Sequence, residues 1–424
     1  MGTIFALSSG SAPAGIAVIR ITGPDACLAT KTITGGLPPP RFAKRCTFTA
    51  PNGTPLDDGL VLWFPGPQSV TGEDLAEFHV HGGRAVIAAI EDALASISGL
   101  RLAEPGEFTR RAFANGKLDL AEAEGLADLL SAETELQRRS AMVLAGGGLS
   151  RKLEDWRQRL LALSAQVEAS LDFEEEDDVI ALGRPFYEKA QLLLSELSNL
   201  LASPPAEVLR EGFRVAIAGP PNAGKSTLFN ALTQSEAAIA TSIAGTTRDV
   251  LTRSVSISGV PFTFVDMAGL RDDACDPVET IGIDRAREEI ARADVVLWLG
   301  DELAGPAGSI EIEAQCDRND RPKKRIAQFR ISAKTGEGLS GLISALVSQA
   351  RSIMPRPGEF AINRRQRRSM EEFELRLKEV ITEQDPLIIA EILRASRYTL
   401  DQLTGRTATE DVLDTLFGRF CIGK

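Results

Sequence analysis

The feature that most constrains this fold is the stretch Gly219–Ser226 (GPPNAGKS), which matches the phosphate-loop pattern G-x-x-x-x-G-K-[ST]. The hydrophobic run 213–218 predicts a buried strand before it, and residues 226–232 predict the start of a helix after it. In such a unit, backbone N–H groups and the positive end of the helix dipole face phosphate oxygens. A purely structural glycine-rich turn is the alternative, but the full motif in this context favours a nucleotide site. We expect Lys225 to reach the terminal phosphates and the Ser226 hydroxyl to bind Mg²⁺.

Size, charge and cysteine content limit the class of protein. The chain has 424 residues and 43% hydrophobic residues, which predicts two to four domains with sizeable cores. Its net charge of −12 argues against a generic nucleic-acid binder, so an RNA contact would need a local basic patch. The five cysteines show no paired C-x-x-C spacing, which predicts a reduced, cytoplasmic protein without a zinc site. We also expect no signal peptide and no membrane span.

Four segments with different patterns follow one another. Residues 1–116 mix short strands with helices and predict an α+β domain, whereas 117–210 show apolar residues at helical spacing. From 211 to 353, strands alternate with helices, which predicts a doubly wound, mostly parallel sheet. Residues 354–424 are again helical. The expected fold class is therefore multidomain α/β plus α, with the nucleotide domain inserted into a helical bundle whose last helices return to its first segment.

Two connections in the predicted nucleotide domain are unusually short. Only residues 302–308 separate two of its strands, and 318–326 separate the next two. A parallel crossover usually takes about 10–12 residues including its helix. We therefore expect the usual helix between the first two strands to be missing or reduced to a turn.

Further motifs indicate a GTPase. Thr246 and Thr247 lie about twenty residues past the loop, where a threonine can bind Mg²⁺ and sense the γ-phosphate. Asp266 ends a hydrophobic strand and would bind magnesium through water, while the Gly269 N–H would meet the γ-phosphate. Residues 332–334 (Ser-Ala-Lys) match a loop that backs the guanine base.

The sequence departs from the usual GTPase pattern in base recognition and in catalysis. Ala314–Asp317 (AQCD) replaces Asn-Lys-x-Asp, so the aspartate remains but the asparagine and lysine do not. Leu270 cannot orient a water molecule, and we take Glu279 as the candidate for that task, with a solvated surface carboxylate as the alternative. No arginine finger is evident, and the side-chain oxygen of Asn222 offers a substitute by binding a monovalent cation.

These features together resemble the MnmE (TrmE) family of tRNA-modification GTPases, over the whole length of the chain. One departure is Met267, where the family's Asp-Thr-Ala-Gly has threonine. The motifs that carry the resemblance are Asn222, Ile243–Asp249, Asp266–Arg271, Ser332–Lys334 and Phe420–Lys424, with Thr71–Asp74, His81–Gly83, Pro105–Phe108 and Arg111–Leu120 in the N-terminal half.

The resemblance implies an activity and partners. In the family, an N-terminal folate-binding domain holds 5-formyl- or methylene-tetrahydrofolate and forms a homodimer. With the flavoprotein MnmG, in an expected heterotetramer, it installs a carboxymethylaminomethyl or aminomethyl group at C5 of the tRNA wobble uridine, and the folate donates the one-carbon unit. K⁺ stimulates GTP hydrolysis as two GTPase domains meet. The alternative is a regulatory GTP switch that controls assembly on tRNA or the ribosome without taking part in the chemistry.

The resemblance also implies roles for individual residues. Glu279 falls on the family's water-activating glutamate, and Ser226 and Thr247 fall on magnesium ligands. The potassium positions are Asn222, Thr241, Ile243 and Thr246, and the folate positions are Arg20, Glu77, Lys117 and Lys424. The GTP-binding positions are Asn222, Ala223, Gly224, Lys225, Ser226, Thr227, Thr241, Ser242, Ile243, Ala244, Gly245, Thr246, Thr247, Asp266, Met267, Ala268, Gly269, Asp317, Ser332, Ala333 and Lys334.

Two further features leave alternatives open. Cys421, beside a glycine and the terminal lysine, is either a nucleophile with a lowered pKa or a small residue that positions the tail, and we favour the positioning role. The arginine cluster 364–368 either holds tRNA phosphates or forms a solvated helix face.

Overall fold

The computed structural model describes residues 2–172, 182–235, 238–240, 251–267, 288–318, 323–356, 359, 361–407 and 409–424. The chain divides into two compact units, each described separately below. Unit 1 comprises Met1–Ala127, Ser150–Leu153 and Leu400–Lys424, and unit 2 comprises Asp128–Leu149 and Glu154–Thr399. No helix among the described residues combines the length and the apolar character needed to cross a bilayer.

Unit 1 is built on a six-stranded sheet. Its strands are β1 (Thr3–Leu7), β2 (Ala14–Thr22), β3 (Lys44–Thr49), β4 (Pro55–Phe64), β5 (Leu75–Gly82) and β6 (Leu100–Leu102). Their order in the sheet is β3-β4-β5-β2-β1-β6, antiparallel throughout except for the parallel pair β1–β6. Its first helices are α1 (Ala26–Thr34), α2 (Arg84–Ala95), α3 (Glu107–Ala114) and α4 (Leu120–Leu130), the last of which continues into unit 2.

Side chains along the strands of unit 1 point alternately to the two faces of the sheet, and different helices pack on each face. Ile19 and Ile21 of β2 are fully buried in a core shared with residues of α1 and α2. On the opposite face, Ile4 and Ala6 of β1 pack against Phe108 of α3. Because side chains alternate between faces, Arg20 lies on this second face, paired across the strands with Ala6.

Unit 2 contains a seven-stranded sheet with the predicted doubly wound pattern. Its strands are β7 (Phe213–Ala218), β8 (Ala238–Ala240), β9 (Leu251–Ile257), β10 (Val260–Asp266), β11 (Val295–Trp298), β12 (Ile310–Glu313) and β13 (Phe329–Arg330). The order is β13-β12-β11-β7-β10-β9-β8, parallel from β13 to β10 and antiparallel for the last two strands. Every residue of β10 is buried, as expected of a parallel strand covered on both faces.

The remaining helices complete the bundle and flank the sheet. They are α5 (Glu135–Ala145), α6 (Gly148–Asp172), α7 (Arg184–Leu201), α8 (Ala206–Glu211), α9 (Lys225–Thr233), α10 (Leu339–Ile353), α11 (Arg364–Thr382), α12 (Pro386–Thr404) and α13 (Glu410–Phe417). Within unit 2, α11 packs on α7: the Ser198 hydroxyl donates to Glu374 at 2.6 Å, and Arg367 donates to the carbonyls of Leu201 and Ser203. The helices on either side of the nucleotide domain thus meet, as predicted.

The predicted loss of a crossover helix is confirmed. Residues 299–309, between β11 and β12, form turns and bends only. Two buried glutamates of β12 hold the short connections in place. Glu311 accepts from the Leu303 N–H at 3.1 Å and pairs with Lys324 at 2.5 Å, while Glu313 accepts from the Lys324 N–H at 3.1 Å and from Arg330 at 2.9 Å. These ion pairs compensate buried charges that would otherwise be costly.

Candidate functional site

The phosphate loop of unit 2 has the predicted strand–loop–helix geometry. Gly224 precedes α9 with φ of 96°, a conformation that glycine adopts without strain. Lys225 is 8% exposed, and its Nζ donates to the carbonyls of Gly219 and Pro220 at 2.7 and 2.9 Å. The lysine is therefore held over the loop, where its charge faces the place that phosphates occupy in such loops.

Asp266 and Ser226, two more of the predicted nucleotide residues, lie at the same edge of the sheet. In the parallel pair β7–β10, Asp266 is in register with Ile217, two residues before Gly219. Asp266 is fully buried, and the Ser226 hydroxyl belongs to the first turn of α9. Both side chains offer oxygen atoms, which are the ligands that Mg²⁺ prefers. Met267 packs among apolar residues of β7, β10 and β11. The methionine side chain that stands in place of the expected threonine therefore fills a small apolar cluster.

Part of the predicted site cannot be placed. The residues Thr241, Ser242, Ile243, Ala244, Gly245, Thr246, Thr247, Ala268, Gly269 and Glu279 lie outside the described residues. Among the residues that the structure describes, there is no group of three or more His, Cys, Asp or Glu side chains arranged to hold a metal ion.

The predicted base pocket is a cavity of about 460 Å³ beside the phosphate loop. Two loops form its outer wall and are joined by a hydrogen bond from the Cys316 N–H to the Ile331 carbonyl, 3.1 Å long. Its lining residues are Gly224, Thr227, Leu228, Ala314, Gln315, Asp317, Arg318, Ile331, Ala333 and Lys334. The structure thus brings Asp317, Ala333 and Lys334 to one cavity with residues of the phosphate loop. Ser332 is fully buried beneath them, where its hydroxyl accepts from the Thr335 N–H.

Three of the predicted folate residues lie on neighbouring segments of unit 1. Arg20 of β2 donates to Glu77 of β5 at 2.8 Å, and His79 Nε2 lies 3.3 Å from the same carboxylate. Lys117 follows α3, and its Cε would lie 3.2 Å from a Cβ placed on Gly72 in the loop before β5. The pair Arg20–Glu77 is half-buried, so it combines charge with partial exclusion of water.

The C-terminal tail is seated on the same unit, in the same chain. The Ser8 hydroxyl donates to the Gly423 carbonyl at 2.7 Å, and Gly423 has φ of 92°. A Cβ on Gly423 would lie 2.0 Å from the Leu7 carbonyl oxygen, so only glycine fits this contact. Cys421 is exposed. The tail therefore reaches the end of β1, one residue beyond Ala6, which pairs with Arg20.

Both apolar contacts and ion pairs hold the residues before this tail against the rest of unit 1. Phe417 and Phe420 belong to a cluster with residues of α4, with a ring-centroid distance of 6.2 Å between them. Arg110 of α3 pairs with Glu410 and Asp414 of α13. The last residues of the chain are thus fixed to the N-terminal unit over several residues.

A partly buried carboxylate in unit 1, that of Glu107, gives a prediction for acid stability. Burial alone would raise the pKa of Glu107, but hydrogen bonds from Arg101, the Glu104 N–H and Arg111 outweigh it and lower that pKa to about 2. A lowered folded-state pKa stabilises the fold above the unfolded-state value near 4.5, and this contribution is lost as the pH falls towards 2. We expect the urea midpoint of unit 1 to fall over that range, and Glu107→Gln to flatten the dependence.

The matched control is Glu135→Gln. The pKa of Glu135 is also lowered to about 2, by Arg138 first and then Arg139, but these ion pairs lie at the surface. Because exposed pairs contribute little to stability, this variant should leave the pH dependence of the midpoint nearly unchanged. An equal effect of the two substitutions would contradict the assignment.

Sequence reasoning did not find three features. Gln315 donates to the Asn222 carbonyl at 3.4 Å and so links the base loop to the phosphate loop. The contact of Ser8 with Gly423 spans 415 positions. The ion pairs of Glu311 and Glu313 were also not predicted. The signal for them was the alternation of glutamate with isoleucine in a strand whose connections on both sides are short.

The contacts of the arginine cluster 364–368 bear on whether it holds tRNA phosphates or forms a solvated helix face. Arg367, within the cluster 364–368, donates to two carbonyls at the end of α7 and is committed to that helix end. Arg368 is 84% exposed in its side chain, 3.7 Å from Glu372.

Comparison with known proteins gives consistent matches along the chain. A family model described as "GTP-binding protein TrmE N-terminus" matches residues 3–117, and one described as "MnmE helical domain" matches residues 120–421. The chain is 57% identical over 434 residues to "tRNA modification GTPase MnmE" of Novosphingobium aromaticivorans, covering 100% of this chain and 99% of the relative. It is also 57% identical over 424 residues to the protein of that name in Erythrobacter litoralis, covering all of both.

Proposed function

This chain belongs to the MnmE family of tRNA-modification GTPases and is a GTP hydrolase that acts in tRNA modification. We propose that it carries out the folate-dependent modification of wobble uridines that its resemblance to this family implies. In this proposal it acts with MnmG in the cytoplasm to install carboxymethylaminomethyl or aminomethyl groups at C5 of wobble uridines. A tetrahydrofolate supplies the one-carbon unit, and two copies join through their N-terminal domains, residues 1–116. The nucleotide domain, 211–353, divides the helical domain into the segments 117–210 and 354–424.

The observation that best supports the GTPase part of this function is the convergence of three charged residues at one sheet edge. Lys225 follows β7, Asp266 ends β10, and Asp317 follows β12. The carboxyl ends of parallel strands form the ligand-binding edge of such sheets. Together they offer one cation for phosphates, one carboxylate for a metal and one carboxylate for the donors of a guanine base.

We propose that oxygen ligands from this chain hold the metal ions. Ser226 would bind Mg²⁺ directly with Thr247, and Asp266 would bind it through water. Asn222 would contribute its side-chain oxygen to a K⁺ ion together with Thr241, Ile243 and Thr246. When bound, the two cations supply positive charge against the negative charge that develops on the phosphates. Asn222 is exposed within the phosphate loop, with φ of 61°, which suits this role.

The folate site in this proposal joins the face of the N-terminal sheet to the chain's own tail. Glu77 can accept a bidentate hydrogen bond from the pterin ring, and Arg20, Lys117 and Lys424 suit the carboxylates of the glutamate tail. What supports it is that Arg20 and Glu77 are paired and that Gly423 is fixed to β1 of the same chain. Cys421 and Lys424 are thereby presented from a fixed segment.

Nucleoside analysis tests the function directly. In a strain that lacks this protein, wobble uridines should lose their C5 substituents, and the wild-type gene should restore them. Lys225→Ala should fail to restore them, because the lysine that faces the phosphates is gone, while the exposed Lys189→Ala on α7 should restore them fully. Wobble-uridine modification at wild-type levels in the deletion strain would instead favour a regulatory GTP switch.

Glu279 is expected to activate or position the attacking water, because Leu270 cannot. Glu279→Ala should lower GTP turnover by about 10²–10⁴-fold, the usual contribution of general acid–base catalysis. Nucleotide affinity should stay near normal, since the phosphate and base contacts are unchanged. Phosphate release and nucleotide binding are the two measurements.

The exposed Glu288→Ala, nine residues further on, is the control and should leave turnover unchanged. Near-wild-type turnover in Glu279→Ala would return Glu279 to an ordinary surface carboxylate.

A further inference from the structure

We propose that the segment Arg41–Arg45 (RFAKR), called the basic edge below, is a surface of unit 1 that holds tRNA. In this arrangement the ring of Phe42 stacks on an unpaired base of the RNA, while Lys44 and Arg45 contact its phosphates. The inference rests on the proposed function, because it names where on this chain the RNA substrate is bound.

The basic edge belongs to a stretch without acidic residues in an otherwise acidic protein. Residues 26–56 contain Lys31, Arg41, Lys44 and Arg45 but no aspartate or glutamate, whereas the whole chain carries a net charge of −12. Because RNA phosphates are anions, an acidic protein can bind them only through a local concentration of positive charge. This stretch supplies such a concentration.

The backbone around Phe42 is held in place, so its ring is presented from a firm support. Three prolines at 38–40, whose φ angles are fixed, precede the basic edge. The Arg41 N–H donates to the Trp63 carbonyl at 2.8 Å, and the Arg41 guanidinium lies 5.8 Å from the centroid of the Phe64 ring. Directly after this anchored arginine, Phe42 is 69% exposed.

The two cations of the basic edge are available to an outside anion. Lys44 and Arg45 begin β3, which is an edge strand of the six-stranded sheet. Both are exposed, and neither side chain forms an ion pair or a hydrogen bond within the part of the chain that the structure describes. Because successive residues of a strand point to opposite faces, the two cations flank the edge on both sides.

Protection of the sheet edge is the simpler explanation for these charges, but it is incomplete. Cations on an edge strand deter pairing with another sheet, which accounts for Lys44 and Arg45. It does not account for Phe42, because an exposed aromatic ring beside an edge favours association. Unpaired RNA bases are commonly bound by stacking on such rings, next to cations that contact the phosphates. The combination therefore favours RNA as the partner.

The sheet register places the basic edge close to the proposed folate site. Arg45 pairs with Leu60 of β4, and Leu60 pairs with His79 of β5, so these side chains share one face of the sheet. Glu77 lies on the same face, two residues from His79 along β5. Strand spacing and rise put Arg45 about 12 Å from Glu77. An RNA loop held at the basic edge would thus lie within reach of the one-carbon donor.

The test measures binding of the full chain to a labelled, unmodified tRNA transcript with uridine at the wobble position, by fluorescence anisotropy at several KCl concentrations. Phe42→Ala should raise the Kd by about 5–100-fold, the usual loss when a stacking ring is removed, with no change in salt dependence. Phe42→Trp should restore binding. Lys44→Ala combined with Arg45→Ala should raise the Kd and lower the slope of log Kd against log[KCl] by about 1–2, because two phosphate contacts are lost.

Two matched controls lie elsewhere on the surface. Arg138→Ala combined with Arg139→Ala removes another adjacent pair of exposed cations, but these two are engaged with Glu135. Tyr398→Ala removes an aromatic ring that is 53% exposed on α12. Both controls should leave the Kd for tRNA and its salt dependence unchanged. GTP turnover should stay at the wild-type level in every variant, because none of them alters the phosphate loop.

Three results would count against the basic edge. Unchanged tRNA affinity in both sets of variants would overturn the inference, and the surface would then serve another partner such as an acidic protein. Weaker tRNA binding that accompanies dissociation of the homodimer in sedimentation would overturn it as well, because Phe42 would then belong to the dimer contact. Failure of the wild-type protein to bind tRNA would remove the proposed function too, whereas wild-type binding with unaffected variants removes this inference alone.

Discussion

GTP turnover is expected to fall by about 10³–10⁵-fold when NaCl replaces KCl, the range that an arginine-finger charge contributes to such reactions. The reason is that the sequence shows no evident arginine finger and the phosphate loop carries Asn222 in its place. Asn222→Gly is the sharper substitution, because glycine adopts the φ of 61° that Asn222 holds, while the side-chain oxygen is removed. This variant should turn over GTP slowly in both salts. Steady-state phosphate release at equal ionic strength is the measurement.

Two controls separate a specific cation effect from a general loss of activity. Asn230→Ala removes an exposed asparagine from α9 and should keep the full dependence on K⁺. Nucleotide affinity of Asn222→Gly should change little, which separates a loss of turnover from a loss of binding. Equal wild-type rates in KCl and NaCl would remove the cation from the proposal and leave Asn222 as a loop residue.

Local patterns predicted the parts of the fold that depend on neighbours in sequence. The phosphate loop is recognisable because the motif, the strand before it and the helix after it are contiguous. The same holds for Asp266 at the end of β10, whose run of apolar residues is typical of a buried parallel strand. The missing helix before β12 was predictable from connection length alone. The family resemblance, confirmed by the matches along the chain, added what no pattern contains, the reaction itself.

Contacts between distant residues were not predictable for a physical reason. The bond between Gln315 and Asn222 joins positions 93 apart, and each residue alone is an ordinary polar side chain. Glu311 and Glu313 alternate with isoleucines as in a half-exposed strand, yet both are buried. They are tolerated there because each pairs with a cation from later in the chain, Glu311 with Lys324 of the following connection and Glu313 with Arg330 of β13. Such pairings are fixed by the three-dimensional path of the chain and leave no local periodicity.

The contact of Gly423 with Leu7 and Ser8 allows the role of the last residues to be tested in two steps, first by a point substitution and then by deletion. Gly423→Ala keeps Cys421 and Lys424 but places a methyl group 2.0 Å from the Leu7 carbonyl oxygen, so the tail must leave its seat. We expect this variant to lose most tRNA modification while it keeps GTP hydrolysis. Arg419→Ala, an exposed residue just before the tail, should be without effect.

Deletion of Cys421–Lys424 is expected to abolish wobble-uridine modification and to weaken folate binding, yet to leave GTP hydrolysis near wild type. The tail is fixed to unit 1 through Ser8 and Leu7, whereas the phosphate loop and Asp266 belong to unit 2, so the two activities should separate. Nucleoside analysis, folate titration and phosphate release on the same preparation measure all three. Cys421→Ser then divides the alternatives for the thiol, because retained modification indicates positioning and its loss indicates a nucleophile. If modification persists in the deletion, the tail is structural and the chemistry assigned to it is wrong.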